Sequence, residues 1–171
     1  MNVSMSPASS VGQSVGHDPD RCLKCLALLA QYHQVAADVS QLQHLYGRSD
    51  GSACDKTDVL RAANALGLRA KASAVDVDDL AQTPLPLIAF DPQGQPFIIA
   101  RLQLADTGRA TGEIEQALIQ DPATAAPQTL SKDALNSRYS GNVILLSKRL
   151  SLRDALQQKF DIRWFIPSLI K

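Results

Sequence analysis

The segment Asp20–His33, D-R-C-L-K-C-L-A-L-L-A-Q-Y-H, constrains this chain more than any other stretch. Cys22, Cys25, Leu26, Leu29 and His33 recur at i, i+3, i+4, i+7 and i+11, the spacing of one helix face, and Leu23 and Leu28 widen the stripe. A helix this apolar belongs inside the molecule with other elements packed around it. Its entry, D-P-D, places Asp18 or Asp20 to cap free N–H groups and Pro19 at a position suited to a helix start.

The period of the pattern changes along the chain. Asp38 and Gln41 have capping-box spacing and open a second helix, with Leu42, Leu45 and Tyr46 on one face and Gly47 as its stop. After a polar loop over 48–55, a third helix is expected from a Thr57 cap to Gly67. Residues 68–75 then alternate and read as a half-exposed strand. A short helical link at 76–82 follows, then an apolar run at 86–90, a D-P-Q-G turn at Asp91–Gly94, and a returning strand at 97–102. Residues 105–110 read as a turn and 121–127 as a loop; 111–120 fits either strand or helix, and the short strands flanking it favour strand. Residues 131–139 form a helix capped by Ser131, and 142–147 a last strand. Helices first and antiparallel strands after is an α+β arrangement.

Length and composition narrow the function classes. A chain of 171 residues makes one domain of ordinary size. Its 17 basic and 17 acidic residues cancel, whereas a nucleic-acid binder needs clustered positive charge. Three cysteines are too few for a disulfide framework and favour a reducing compartment. No apolar run reaches the ~18 residues of a membrane span. Residues 1–17, rich in Ser and Gly and without a basic-then-apolar leader, read as a disordered tail. The domain proper is expected over 18–149. Residues 150–171 read as a linker and amphipathic segment, where Trp164 and Phe165 suit a membrane interface.

Catalytic chemistry is thinly represented. Cys22 lies near a helix start, where a thiol is acidified, but His33 is eleven residues along the same helix, roughly 16 Å away. His44 lies on another helix and His17 in the tail. Cys22 and Cys25 have CxxC spacing without a βαβ setting, and a zinc site lacks two further ligands. Asp76, Asp78 and Asp79 read as solvated charge at a helix start rather than as a metal site. No G-x-x-x-x-G-K-[ST] loop is present.

The same opening helix resembles that of papain-like, bacteriocin-processing cysteine peptidases, the domains of ABC exporters that cut double-glycine leaders. Their pattern is D-C-G-x-x-C-L-x-M/I followed by an aromatic pair. A-L-G-L-R-A-K-A, L-P-L-I-A-F, G-Q-P-F-I-I-A-R and Asp121-Pro122 match in order. The closing F-D-I-R-W-F-I-P-S-L-I-K resembles the segment that leads into the membrane domain of haemolysin-type (RTX toxin) exporters. The resemblance implies a papain-like α+β fold. With Cys25 and Leu26 in register, Arg21 takes the nucleophile position and Cys22 the following Gly. Pro96 takes the catalytic His position and Val15 that of the oxyanion Gln, with Gln13 out of register. Of the catalytic set only Asp121 remains, and a carboxylate without thiolate or imidazole cannot carry acyl transfer.

The resemblance therefore implies a non-catalytic domain that recruits or tethers an unfolded RTX-type protein. It implies binding at Tyr32 (on the aromatic pair), at Phe90 (an exposed aromatic beside the hairpin) and at Phe97. It further implies the cytoplasmic side of the bacterial inner membrane, a monomeric isolated domain and a homodimeric exporter, with ATP and Mg held outside this chain. The exporter's own membrane and nucleotide-binding domains would be partners, and the chain would be a piece ending before the first membrane segment. Two rivals remain open. One is a working leader peptidase that uses Cys22 after a one-residue slip. The other is a purely structural or regulatory module.

Overall fold

The computed structural model describes residues 18–106, 112–124 and 126–149. The tail at 1–17 and the segment at 150–171, with Trp164 and Phe165, lie outside the described residues.

Helix α1 spans Arg21–Tyr32 and buries Cys22, Leu23, Cys25, Leu26, Ala27, Leu29 and Ala30. The buried face is shifted from the expected stripe: Leu28 faces outward, while Ala27, Ala30 and the unexpected Arg21 are buried. Neither aspartate caps the helix as anticipated. Asp18 accepts from the Asp20 N–H at 3.1 Å, and Asp20 accepts from Gln43 Nε2 at 3.1 Å. The helix ends in a Schellman arrangement, with Val35 N–H donating to the Ala30 carbonyl and Gln34 N–H to that of Gln31. This forces Gln34 into the left-handed region at φ 60°. A non-glycine residue there costs roughly 1–2 kcal/mol, so Gln34→Gly is expected to stabilise the domain by about 1 kcal/mol in urea unfolding.

Helix α2, Val39–Tyr46, is capped by Asp38 as its spacing predicts. Gly47 ends it for another reason than a left-handed backbone: its φ is −67°, and a Cβ there would lie 2.3 Å from the Gln43 carbonyl oxygen. Helix α3, Lys56–Ala65, is capped by Asp55, two residues before the expected Thr57 cap. Asp55 and Asp58 form a reciprocal capping box, and Arg48 bridges both carboxylates. Gly67, at φ +78°, turns the chain into the sheet.

The strands are β1 (Leu68–Ala74), β2 (Leu87–Phe90), β3 (Pro96–Ala105), β4 (Glu113–Gln120), β5 (Gln128–Ser131) and β6 (Asn142–Lys148). A 3-10 turn, Val77–Gln82, follows β1, and helix α4, Lys132–Arg138, is capped by Ser131. The strands form one antiparallel sheet in the order β1-β6-β2-β3-β4-β5, with the last strand inserted between β1 and β2. Helices followed by this six-stranded sheet make the α+β, papain-like fold.

Alternation along the strands divides the core in two. Ile88, Phe90, Ile98, Ile144 and Leu146 face α1, α2 and α3. Leu87, Ala89, Phe97, Ile99, Ile119 and Val143 face the other way, onto Leu135 and Tyr139 of the α4 region. The Tyr139 hydroxyl donates to the Val75 carbonyl at 2.6 Å, and burial, followed by the nearby Asp76 charge, pushes its pKa up to about 12.

Candidate functional site

Asp121 follows the last residue of β4, where the two layers meet, and is only 7% exposed. Three donors converge on it. Arg21, on the first turn of α1, donates to Oδ1 at 2.6 Å. Arg138, on the last turn of α4, donates to Oδ2 at 2.5 Å. The Ala123 N–H reaches Oδ1 at 2.9 Å. Burial pushes the carboxyl pKa up, but the Ala123 N–H, the Arg138 bond and the charges of Arg21 and Arg138 outweigh it and hold Asp121 below the ordinary aspartate value. Arg21 is itself 7% exposed, and its Nε finds no hydrogen-bond partner among the described residues.

The Arg138 guanidinium also lies over the Phe97 ring, 4.9 Å from its centroid. Phe97 directly follows Pro96, so the three positions singled out as degenerate or retained (Arg21, Pro96 and Asp121) gather at one end of the sheet. Pro96 pairs with Phe90 across the hairpin, on the helix-facing side. Phe97 is one residue along, hence on the opposite face, and only 1% exposed. A ring so enclosed offers no surface to a docked chain, which corrects the binding role expected of it.

Phe90 is not an exposed aromatic either: at 4% exposure it lines one wall of a cleft of about 570 Å³. Residues 53–57, leading into α3, form another wall, and the Asp91–Gly94 turn with Ser140 and Asn142 completes the rim. The turn is held as its composition predicts. Asp91 Oδ1 accepts from the N–H groups of Gln93 at 2.9 Å and Gln95 at 2.7 Å. Lys56 Nζ stands 5.2 Å from the Phe90 ring centroid, so an aromatic and a cation share the cleft. Tyr32 lies on the last turn of α1, 65% exposed, and does not line this cleft.

The cysteines are free and buried. Cys22 Sγ donates to the Cys54 carbonyl at 3.4 Å. The hydrogen bond with the Cys54 thiol, then burial, push the Cys22 pKa far up, the reverse of what a nucleophile requires. His33 sits on the opposite end of α1, and burial followed by the Lys148 charge lowers its pKa. Among the described residues no group of three His, Cys, Asp or Glu is placed to hold a metal ion. No described helix is long and apolar enough to cross a membrane.

Residues 14–151 match the peptidase C39 family. The chain belongs to that family. It is 36% identical over 153 residues to the cyclolysin secretion/processing ATP-binding protein CyaB of Bordetella pertussis, covering 90% of this chain and 20% of that protein. It is 34% identical over 154 residues to the toxin RTX-I translocation ATP-binding protein of Actinobacillus pleuropneumoniae, with the same coverage. This C39 chain thus spans about a fifth of the length of the curated relatives it matches. Two solved C39 structures share its fold. One is a double glycine motif protease from an AMS/PCAT transporter in complex with the leader peptide, with TM-score 0.63 and 18% identity over 78% of this chain and 88% of that one. The other is the N-terminal peptidase C39 like domain of the toxin secretion ATP-binding protein from Vibrio parahaemolyticus, with TM-score 0.62 and 21% identity over 76% and 98%.

Sequence reasoning on this C39 domain missed Arg138 and Lys56. Arg138 closes a short helix whose only signal was its Ser131 cap, and nothing local to it points toward Asp121. Lys56 was passed over with the loop before α3. The capping-box spacing of Asp55 and Asp58 would have placed it on the helix's first turn.

Proposed function

We infer that this domain is a non-catalytic polypeptide-binding module of a type I secretion ABC exporter. It would hold an unfolded RTX-type protein at the cytoplasmic face of the bacterial inner membrane. The observation that carries the non-catalytic reading is the Arg21–Asp121 ion pair. A buried guanidinium at the expected nucleophile position clamps the carboxylate that would otherwise orient an imidazole, and Pro96 has no proton-accepting nitrogen at the expected histidine position. The Cys22 thiol, held by Cys54 and raised in pKa, argues against the slipped-register peptidase.

The binding reading rests on the cleft between α3 and the β2–β3 hairpin, where an apolar wall and polar rim suit an extended segment. Tyr32, with the outward-facing Leu28 one turn back, supplies a second exposed apolar spot that a long unfolded partner would reach. The relatives' names, cyclolysin secretion and RTX-I translocation, support the substrate class. ATP and Mg, the membrane passage and the homodimer would belong to the exporter's other domains, and the isolated domain would be monomeric.

Titrating labelled domain with an unfolded RTX C-terminal fragment is expected to give localised NMR shifts at the Phe90 cleft rim and at Tyr32. Binding should be micromolar or looser, because ordering a disordered partner costs entropy. Phe90→Leu, which keeps an apolar side chain in the wall, should weaken it by about tenfold if the ring is an anchor. Absence of localised shifts would leave the structural-module reading standing. Cys22-dependent cleavage of a double-glycine leader peptide would replace binding with catalysis.

A further inference from the structure

Cys54 has a setting that neither the C39 resemblance nor the binding reading uses. It lies directly before the capping Asp55 of α3, with its N–H donating to the Pro19 carbonyl at 2.9 Å, and so joins the start of α3 to the start of α1. It also lines the cleft beside Phe90 and Lys56. Across from it, Cys22 on the first turn of α1 donates its S–H to the Cys54 carbonyl at 3.4 Å, which brings its sulfur up against Cys54. Cys25, one turn further along α1, is completely buried.

We propose that Cys54 and Cys22 form a peroxide-sensitive modification site, with Cys54 as the attacking thiol at the cleft and Cys22 as its resolving partner. The roles follow from the surroundings. Cys54 lines the cleft that a peroxide molecule can enter, whereas Cys22 is not among the cleft-lining residues and directs its S–H at the Cys54 carbonyl. Its contact with Cys54, with burial, keeps Cys22 protonated. Burial first of all holds the Cys25 thiol neutral, so it takes no part.

The chemistry closes without a further reactant. Cys54 sulfur attacks one oxygen of hydrogen peroxide, the O–O bond breaks, and the departing hydroxide takes the Cys54 proton and leaves as water. Cys54 is then a sulfenic acid. Cys22 sulfur attacks the Cys54 sulfur, the S–O bond breaks, and the second hydroxide takes the Cys22 proton. Two thiols and one peroxide give one disulfide and two waters. The bond would fix the first turn of α1 to the wall of the cleft, whatever the cleft binds, so this proposal stands independently of the polypeptide-binding reading.

The test treats the native 171-residue chain with hydrogen peroxide, alkylates it under denaturing conditions and maps peptides by mass spectrometry. The expected product is a Cys22–Cys54 linked peptide pair in monomeric protein, lost on dithiothreitol treatment, with Cys25 recovered alkylated. Cys54→Ser should abolish the link, and Cys25→Ser should retain it. Cys22→Ser, checked for folding by circular dichroism, should leave Cys54 as a trappable sulfenic acid. Overturning results are unmodified thiols, a link through Cys25, an intermolecular link, or overoxidised Cys54 with no link. Because the wild-type map reads the pair directly, a misfolded variant does not decide the matter.

Discussion

Replacing Asp121 with alanine is expected to cost about 3–5 kcal/mol of unfolding free energy, the range for leaving a buried charge without its partner. Arg21 would then sit in the core with its Nε already unpartnered and the terminal nitrogen that donates to Asp121 orphaned as well. The partner substitution is not symmetrical. Arg21→Met removes the unsatisfied donor and leaves Asp121 bonded to Arg138 and to the Ala123 N–H, so it should cost clearly less than Asp121→Ala. Chemical denaturation at neutral pH measures both. Equal losses would mean that the carboxylate is not the hub of the cluster.

The same cluster sets an acid limit on stability. The folded-state pKa of Asp121 lies below its unfolded value of about 3.9, so the folded state holds the ionised form more strongly. Its contribution is therefore fully present above that unfolded value and is lost as pH falls through the folded one. Asp121→Asn removes this titration, so the variant should show a shallower loss of stability on acidification than the native chain. A parallel loss in both would remove Asp121 from the account of acid unfolding.

Much of the architecture was legible because local chemistry and tertiary demand agree. The α1 stripe, the Asp38 and Ser131 caps, the Asp91–Gly94 turn and the alternating strand at 68–75 are each decided by residues close in sequence. Strand β5, Gln128–Ser131, was not foreseen. Four residues with only Leu130 apolar carry no period, and their pairing is supplied by β4. The insertion of β6 between β1 and β2 is likewise invisible locally, because β6 pairs with two strands that lie far upstream of it in the chain. At the site, register with the C39 pattern brought Arg21, Pro96 and Asp121 to notice. That Arg21 and Asp121 bond each other across a hundred residues is a tertiary fact. Phe90, expected to be an exposed aromatic, is buried, and so is Phe97, for a period-2 reason. Phe90 and Phe97 lie near the hairpin in sequence, but the pleat sends one toward the helices and the other toward α4.

Phe97→Ala separates the structural from the binding role of that ring. Its side chain is enclosed among Leu87, Ala89, Ile99, Ile119 and Leu135 on the α4 side of the sheet, where truncating phenylalanine typically costs about 3–5 kcal/mol. The Arg138 guanidinium above the ring loses its aromatic face as well, about 0.5–1 kcal/mol more for a partly exposed pair, and with it part of what holds Arg138 against Asp121. Against the 5–15 kcal/mol of an ordinary domain, that is enough to lower the unfolding midpoint steeply. Phe97→Leu fills most of the space and should cost about 1.5 kcal/mol or less beyond the aromatic contact. If Phe97 acts only through packing, the folded Phe97→Leu domain binds the RTX fragment like the native chain while Phe90→Leu does not. Weakened binding in a fully folded Phe97→Leu domain would show that this face of the sheet, and not the helix-facing cleft, receives the partner.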